Sequence, residues 1–128
     1  MNIKAICEDC KKEFQVDDTD LIQSNVQAMD TGEKLYLISY KCPYCDRVHI
    51  VQVDNDETKE KLNRCTRLMA KVTRQKTNKG RADNSTVVLF NRARAQLNEM
   101  RMNLMKEYNG SLVVNSETEE AFNISFSL

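Results

Sequence analysis

Four of the five cysteines fall in two matched pairs, Cys7-Glu8-Asp9-Cys10 and Cys42-Pro43-Tyr44-Cys45, with 31 residues between them. A tight turn carrying Cys-x-x-Cys can supply two adjacent corners of a tetrahedron, and four thiolates can surround one Zn2+ at about 2.3 Å each. The segment between the pairs carries a hairpin-like pattern, which returns the second pair to the same end of a sheet as the first. A metal held this way fixes the path of residues 2–53. A chain of 128 residues can use such a staple, because a small core buries little apolar surface.

Other uses of the pairs fit less well. A thioredoxin-like redox pair sits at a strand-to-helix step, whereas strand-like segments flank both pairs here. The odd cysteine count argues against a pure disulfide framework. Four cysteines close the coordination sphere and leave no position for water, so the expected Zn2+ is structural rather than catalytic. His49, the only histidine, is the alternative ligand or a proton shuttle. With four thiols already present it reads as a strand residue with a half-exposed ring. Lys11, Lys12 and Arg47 lie beside the pairs, where cations offset the net negative charge of a four-thiolate site.

The cysteine spacing resembles that of zinc ribbons over residues 2–53, a scaffold that mostly binds nucleic acid or protein. "CEDCKKEF", then "YKCPYC" some thirty residues on, then a short helical appendage resemble the small zinc-ribbon proteins of phages and prophages. That group includes regulators, morphogenesis factors and inhibitors of host defence, among them anti-CRISPR proteins. The resemblance implies a phage- or mobile-element-encoded inhibitor of a host nucleic-acid enzyme, with a Cas9-type nuclease as the named partner.

The expected fold class is α+β, with a β zinc ribbon (1–54), a basic antiparallel helical hairpin (55–109) and a short β tail (110–128) docked back as one unit. "NVQAMDTGEKLYLISYK" reads as a hairpin turning at Thr31-Gly32, and "RVHIVQV" as the return strand with either face fit for burial. At Asp54 the period changes. Asp54 and Glu57 have capping spacing, and Leu62, Cys65, Met69 and Val72 predict a helix over 56–77. A break at Gly80 precedes a second helix over 84–108, with Phe90, Ala93, Leu97, Met100, Leu104 and Tyr108 as its stripe and Asn109-Gly110 as its stop. In the tail, Phe122, Ile124, Phe126 and Leu128 alternate as in a strand, paired with 112–115 or added to a sheet edge. Cys65 and the methionines read as helix packing, and residual apolar helix surface leaves a homodimer open.

Charge is the second organising feature. The formal net charge is zero, but residues 1–58 carry −6, residues 59–106 carry +10 and residues 107–128 carry −4. The acidic candidates for a partner surface are Glu8, Asp9, Asp17, Asp18, Asp20, Asp54, Asp56 and Glu57, which could occupy the basic channel of such a nuclease. The competing reading is a DNA- or RNA-binding regulator with Arg64, Arg67, Lys71 and Arg74 on the phosphates. A structural phage protein assembled through its helices is the third. With three glycines and no nucleophile–base ordering, no catalytic set is expected. No apolar run approaches the ~20 residues that span a bilayer, and the first residues lack a leader-like apolar segment, so a cytoplasmic protein is expected.

Overall fold

A computed structural model describes residues 3–126 of the chain. The fold is α+β. Strands β1 (Ile3–Ile6) and β2 (Glu13–Val16) form a separate two-stranded sheet. A short 3-10 turn, Asp18–Asp20, leads into β3 (Ile22–Ala28), β4 (Lys34–Lys41) and β5 (Val48–Asp54). Helices α1 (Asp56–Lys79) and α2 (Asn84–Tyr108) follow, then β6 (Leu112–Asn115) and β7 (Ala121–Asn123). The main sheet is antiparallel in the order β5-β4-β3-β6-β7. A parallel bridge between Ile50 and Phe126 brings the chain beyond β7 alongside β5, so the sheet curls on itself.

The tail therefore does both things its pattern allowed. β7 pairs with β6, and Phe126 beyond it bridges to Ile50 of the edge strand β5. Ile124 and Phe126 are buried and Phe122 is half-buried, while Leu128 lies outside the described residues. The main core collects Val26, Ala28, Leu35, Leu37, Ile50, Val53, Val113, Ile124 and Phe126 from the curled sheet, closed by Leu104 and Tyr108 of α2.

A register shift between Ile38 and Ser39 answers the question of which face of β5 is buried. Ser39 pairs with Ile50, but Ile38 pairs with Gln52, so Val51 is the extra residue and is exposed. A bulge of this kind moves the strand by one position relative to its partner. Ile50 and Val53, an odd number of residues apart, thus both reach the main core. His49, paired with Tyr40, turns to the opposite face.

Both helices run where the period placed them. The N-cap of α1 is Asn55, whose side chain accepts from Thr58 N at 2.9 Å while Thr58 Oγ1 accepts from Asn55 N at 2.8 Å. The Asp54–Glu57 spacing is therefore not the cap. Asp54 is taken instead by Arg101, whose Nε and Nη2 donate to it at 2.8 and 3.3 Å. Gly80 ends α1 at φ +80°, a left-handed position that favours glycine. The seam between the helices uses Cys65, Leu68, Val72, Ala93 and Leu97. Leu62 and Met69 of the expected stripe are instead 39% and 47% exposed, because the seam is rotated toward Leu68.

Only the base of this hairpin meets the sheet, chiefly through β5. The rest stands out as an arm, on a first helix that is about 36 Å long in all for its 24 residues. Leu104 is the aliphatic side chain of α2 buried in the main core, beside Tyr108. Leu104→Ala is expected to cost about 3 kcal/mol, the usual loss for a buried leucine whose cavity does not collapse, read as a lower urea midpoint at unchanged slope.

Candidate metal centre

Each cysteine pair sits on a turn with the same hydrogen bonds. In the first, Lys11 N donates to Cys7 O at 2.8 Å and Cys7 N donates to Lys12 O at 3.1 Å. In the second, Asp46 N donates to Cys42 O at 3.0 Å and Cys42 N donates to Arg47 O at 2.8 Å. The residue after the second cysteine is left-handed in both, Lys11 at φ +60° and Asp46 at φ +64°. That conformation bends the chain back so that both sulfurs of a pair point the same way. Neither residue is a glycine, so the turn carries no compositional mark in the sequence.

β1–β2 and β4–β5 bring the two turns together. The Sγ atoms of Cys7, Cys10, Cys42 and Cys45 all lie within 4.8 Å of one another, with Cys7–Cys45 at 3.4 Å and Cys10–Cys42 at 3.7 Å. Sulfurs at the corners of a tetrahedron with 2.3 Å bonds would be about 3.8 Å apart. No disulfide joins them. The cluster can hold a metal ion, and a tetrahedral sulfur set suits zinc or iron. Cys7 and Cys42 are fully buried and Cys45 is exposed.

Interlocking contacts tie the turns. Arg47 of the second donates to Asp9 of the first, and Lys12 of the first lies 4.8 Å above the Tyr44 ring of the second. Phe14 packs edge-on to both Tyr40 and Tyr44. The cations beside the cysteines thus act largely on neighbouring side chains, while backbone N–H groups serve the sulfurs. Amides of Cys10 and Asp9, together with His49, hold the Cys7 thiol down at about 6 against the opposing effect of burial. The Arg47 amide lowers Cys45, but the adjacent sulfurs and burial outweigh it and push that thiol up to about 12. Cys10 is lowered by the Lys12 amide, and burial with its sulfur neighbours raises it overall.

A metal must displace the protons that remain. Cys7, held down, gives up its proton most readily, whereas Cys10 and Cys45, both raised, keep theirs at pH 7. Metal binding is therefore expected to release at least these two protons, and affinity to fall at least about 100-fold for each pH unit lost near neutrality. Calorimetry in buffers of different ionisation enthalpy counts the protons directly. A pH-independent affinity contradicts this expectation.

His49 is not among the four residues whose ligand atoms could together hold a metal ion. It is not half-exposed, however. Its ring is 3% exposed and stacks on Tyr40 at 5.1 Å, its partner in the β4–β5 register, on the face opposite Ile50.

The acidic candidates do not form one surface. Glu8 and Asp9 lie on the first turn, Asp17, Asp18 and Asp20 around the 3-10 turn, and Asp54, Asp56 and Glu57 beyond the far end of β5, about 20 Å from its start. Asp54 is buried and holds Arg101, so it does not belong on a partner surface. Asp9 accepts from Arg47, Asp56 from the Tyr36 hydroxyl at 2.8 Å, and Asp20 from Asp17 N at 2.8 Å.

The basic candidates Arg64, Arg67, Lys71 and Arg74 are all exposed along α1. From Arg64 to Arg94 there are nine basic residues and one acidic residue, Asp83. Lys79 lies 3.5 Å from Asp83; among the described residues the other eight cations make no side-chain hydrogen bond or ion pair. The sequence could not reveal this separation, since an acidic ribbon folded against the helices would have had the same composition. Among the described residues no helix is long and apolar enough to cross a membrane. No protein-family model, curated protein or solved structure matches the chain.

Proposed function

We propose that the chain is a non-enzymatic zinc protein whose helical arm docks on the phosphate backbone of a nucleic acid. The observation that carries this reading is the group of eight cations without internal partners, on an arm projecting from an otherwise acidic body. Zn2+ in the four-sulfur cluster has a structural role: it joins the β1–β2 hairpin to the β4–β5 turn and supplies no reaction. Phe90 is the one aromatic residue between Arg64 and Arg94 and is half-buried. A base-stacking platform is absent from that segment, and binding is expected to follow charge rather than sequence.

Titrating a fluorescent DNA duplex by anisotropy between about 50 and 200 mM salt tests the proposal. Each phosphate neutralised contributes about −0.9 to the slope of log K against log salt, so eight cations set an upper bound of about −7. Failure to bind, or affinity indifferent to salt, overturns the reading.

A second reading keeps the inhibitor of a Cas9-type nuclease, as the resemblance to phage and prophage zinc-ribbon proteins implies. Its support is the exposed Glu8, Asp17 and Asp18 near the cysteine end of the molecule, which carry the sign that suits a basic nucleic-acid channel. That reading requires a stoichiometric protein complex that survives nuclease treatment and is lost when Glu8 and Asp17 are reversed to lysine. A complex indifferent to those reversals counts against it.

A further inference from the structure

His49 is a polar side chain with no evident task. It is 97% buried by its 3% exposure, and its Nε2 is the one buried side-chain nitrogen or oxygen among the described residues that has no hydrogen-bond partner. Leaving such an atom unsatisfied costs about 1–3 kcal/mol, so its place calls for a hydrogen-bond partner. The ring cannot swing away, because it is stacked on Tyr40 at an interplanar angle of 23° and held in register opposite it. Tyr40 in turn packs against the cluster formed by Cys7, Phe14, Val16 and Cys42.

We propose that His49 is a positioning residue for the metal cluster, its Nε2–H donating to the Cys7 sulfur once that sulfur is a metal-bound thiolate. The inference rests on the metal reading of the four cysteines. A four-thiolate site around a dication carries a net charge of −2, and Cys7 is fully buried, so charge on its sulfur must be met by nearby donors. Backbone amides of the first turn supply some, and His49 approaches from β5, fixing the corner that the turn alone leaves free to rotate. In the metal-free chain His49 is close enough to help hold the Cys7 thiol down, although its Nε2 forms no hydrogen bond there. The unshifted register of Ser39, Tyr40 and Lys41 with Ile50, His49 and Val48 sets His49 opposite Tyr40 on the face away from Ile50, while the Val51 bulge lets Val53 join Ile50 in the main core.

The test uses the full chain loaded with NMR-active cadmium. A scalar coupling between the His49 Nε2 proton and the metal, transmitted through the N–H···S bond, is the expected result. Absence of that coupling in a loaded, folded sample overturns the proposal. His49→Phe keeps a stacked ring and removes the donor. It is expected to weaken Co2+ binding about 10- to 100-fold and to shift the sulfur-to-cobalt charge-transfer band, with partial recovery in His49→Gln. Unchanged affinity and an unchanged band in His49→Phe also overturn it. If the unsubstituted chain takes up neither metal, the metal reading itself fails, and this inference falls with it. Uptake without coupling removes this inference alone.

Discussion

Replacing both Cys42 and Cys45 with serine is expected to abolish stoichiometric metal and to release the β1–β2 hairpin while leaving the main sheet and helical arm folded. The reason is the division of the core. Cys7, Phe14, Val16 and Cys42 form a cluster apart from the one that joins the curled sheet to Leu104 and Tyr108. An isolated two-stranded hairpin is marginal in water, and β1 and β2 are four residues each. Structural zinc in small domains contributes apparent free energies of about 10–16 kcal/mol, far more than the Phe14 ring contacts can replace. Amide exchange should show residues 4–16 unprotected in the variant, with β3, β4 and α2 retaining protection. Metal analysis of the unsubstituted protein should give one ion per chain. Protection of β1 and β2 surviving in the metal-free variant would sink the idea, and iron in place of zinc would change the metal without changing the architecture.

Reversing Arg64, Arg67, Lys71 and Arg74 together to glutamate is expected to remove nucleic-acid binding at physiological salt with little change in stability. All four are exposed, and none has a side-chain partner within the described residues to lose. Four fewer phosphate contacts reduce the salt slope by about 3.6, and four added negative charges repel the backbone besides. At 150 mM salt the combined effect should exceed about 1000-fold. Thermal melting of the variant checks that the arm is intact, since surface substitutions of this kind usually change stability by less than about 0.5 kcal/mol. Binding that persists with an unaltered salt slope would assign the contact to another surface and leave the inhibitor reading in its place. The same variant separates the two readings: a protein complex mediated by the acidic side should survive it.

Much of the architecture was legible in the sequence because its signals are local. The spacing of Cys7, Cys10, Cys42 and Cys45 specifies two like turns, and the change of period after Asp54 announces the helices. Gly80 and Asn109-Gly110 mark where they stop. Where the reading slipped, the deciding partner was distant. Asp54 had the spacing of a cap, but Arg101, forty-seven residues away, claimed its carboxylate. Leu62 and Met69 fit a helical stripe, but the face of α2 presented by Ala93 and Leu97 selected Leu68 and Cys65 instead.

The sequence by itself determined the two matched cysteine turns, the α+β class and the arm's positive charge, each of which depends on residue identity and spacing within short spans. Tertiary structure decided which charges remained free, which face of β5 was buried and why His49 lies against the cysteines. Those outcomes depend on a strand register and on surfaces contributed by residues far apart in the chain. Burial is a property of the assembled pair of faces, and neither face carries the other's geometry in its own sequence.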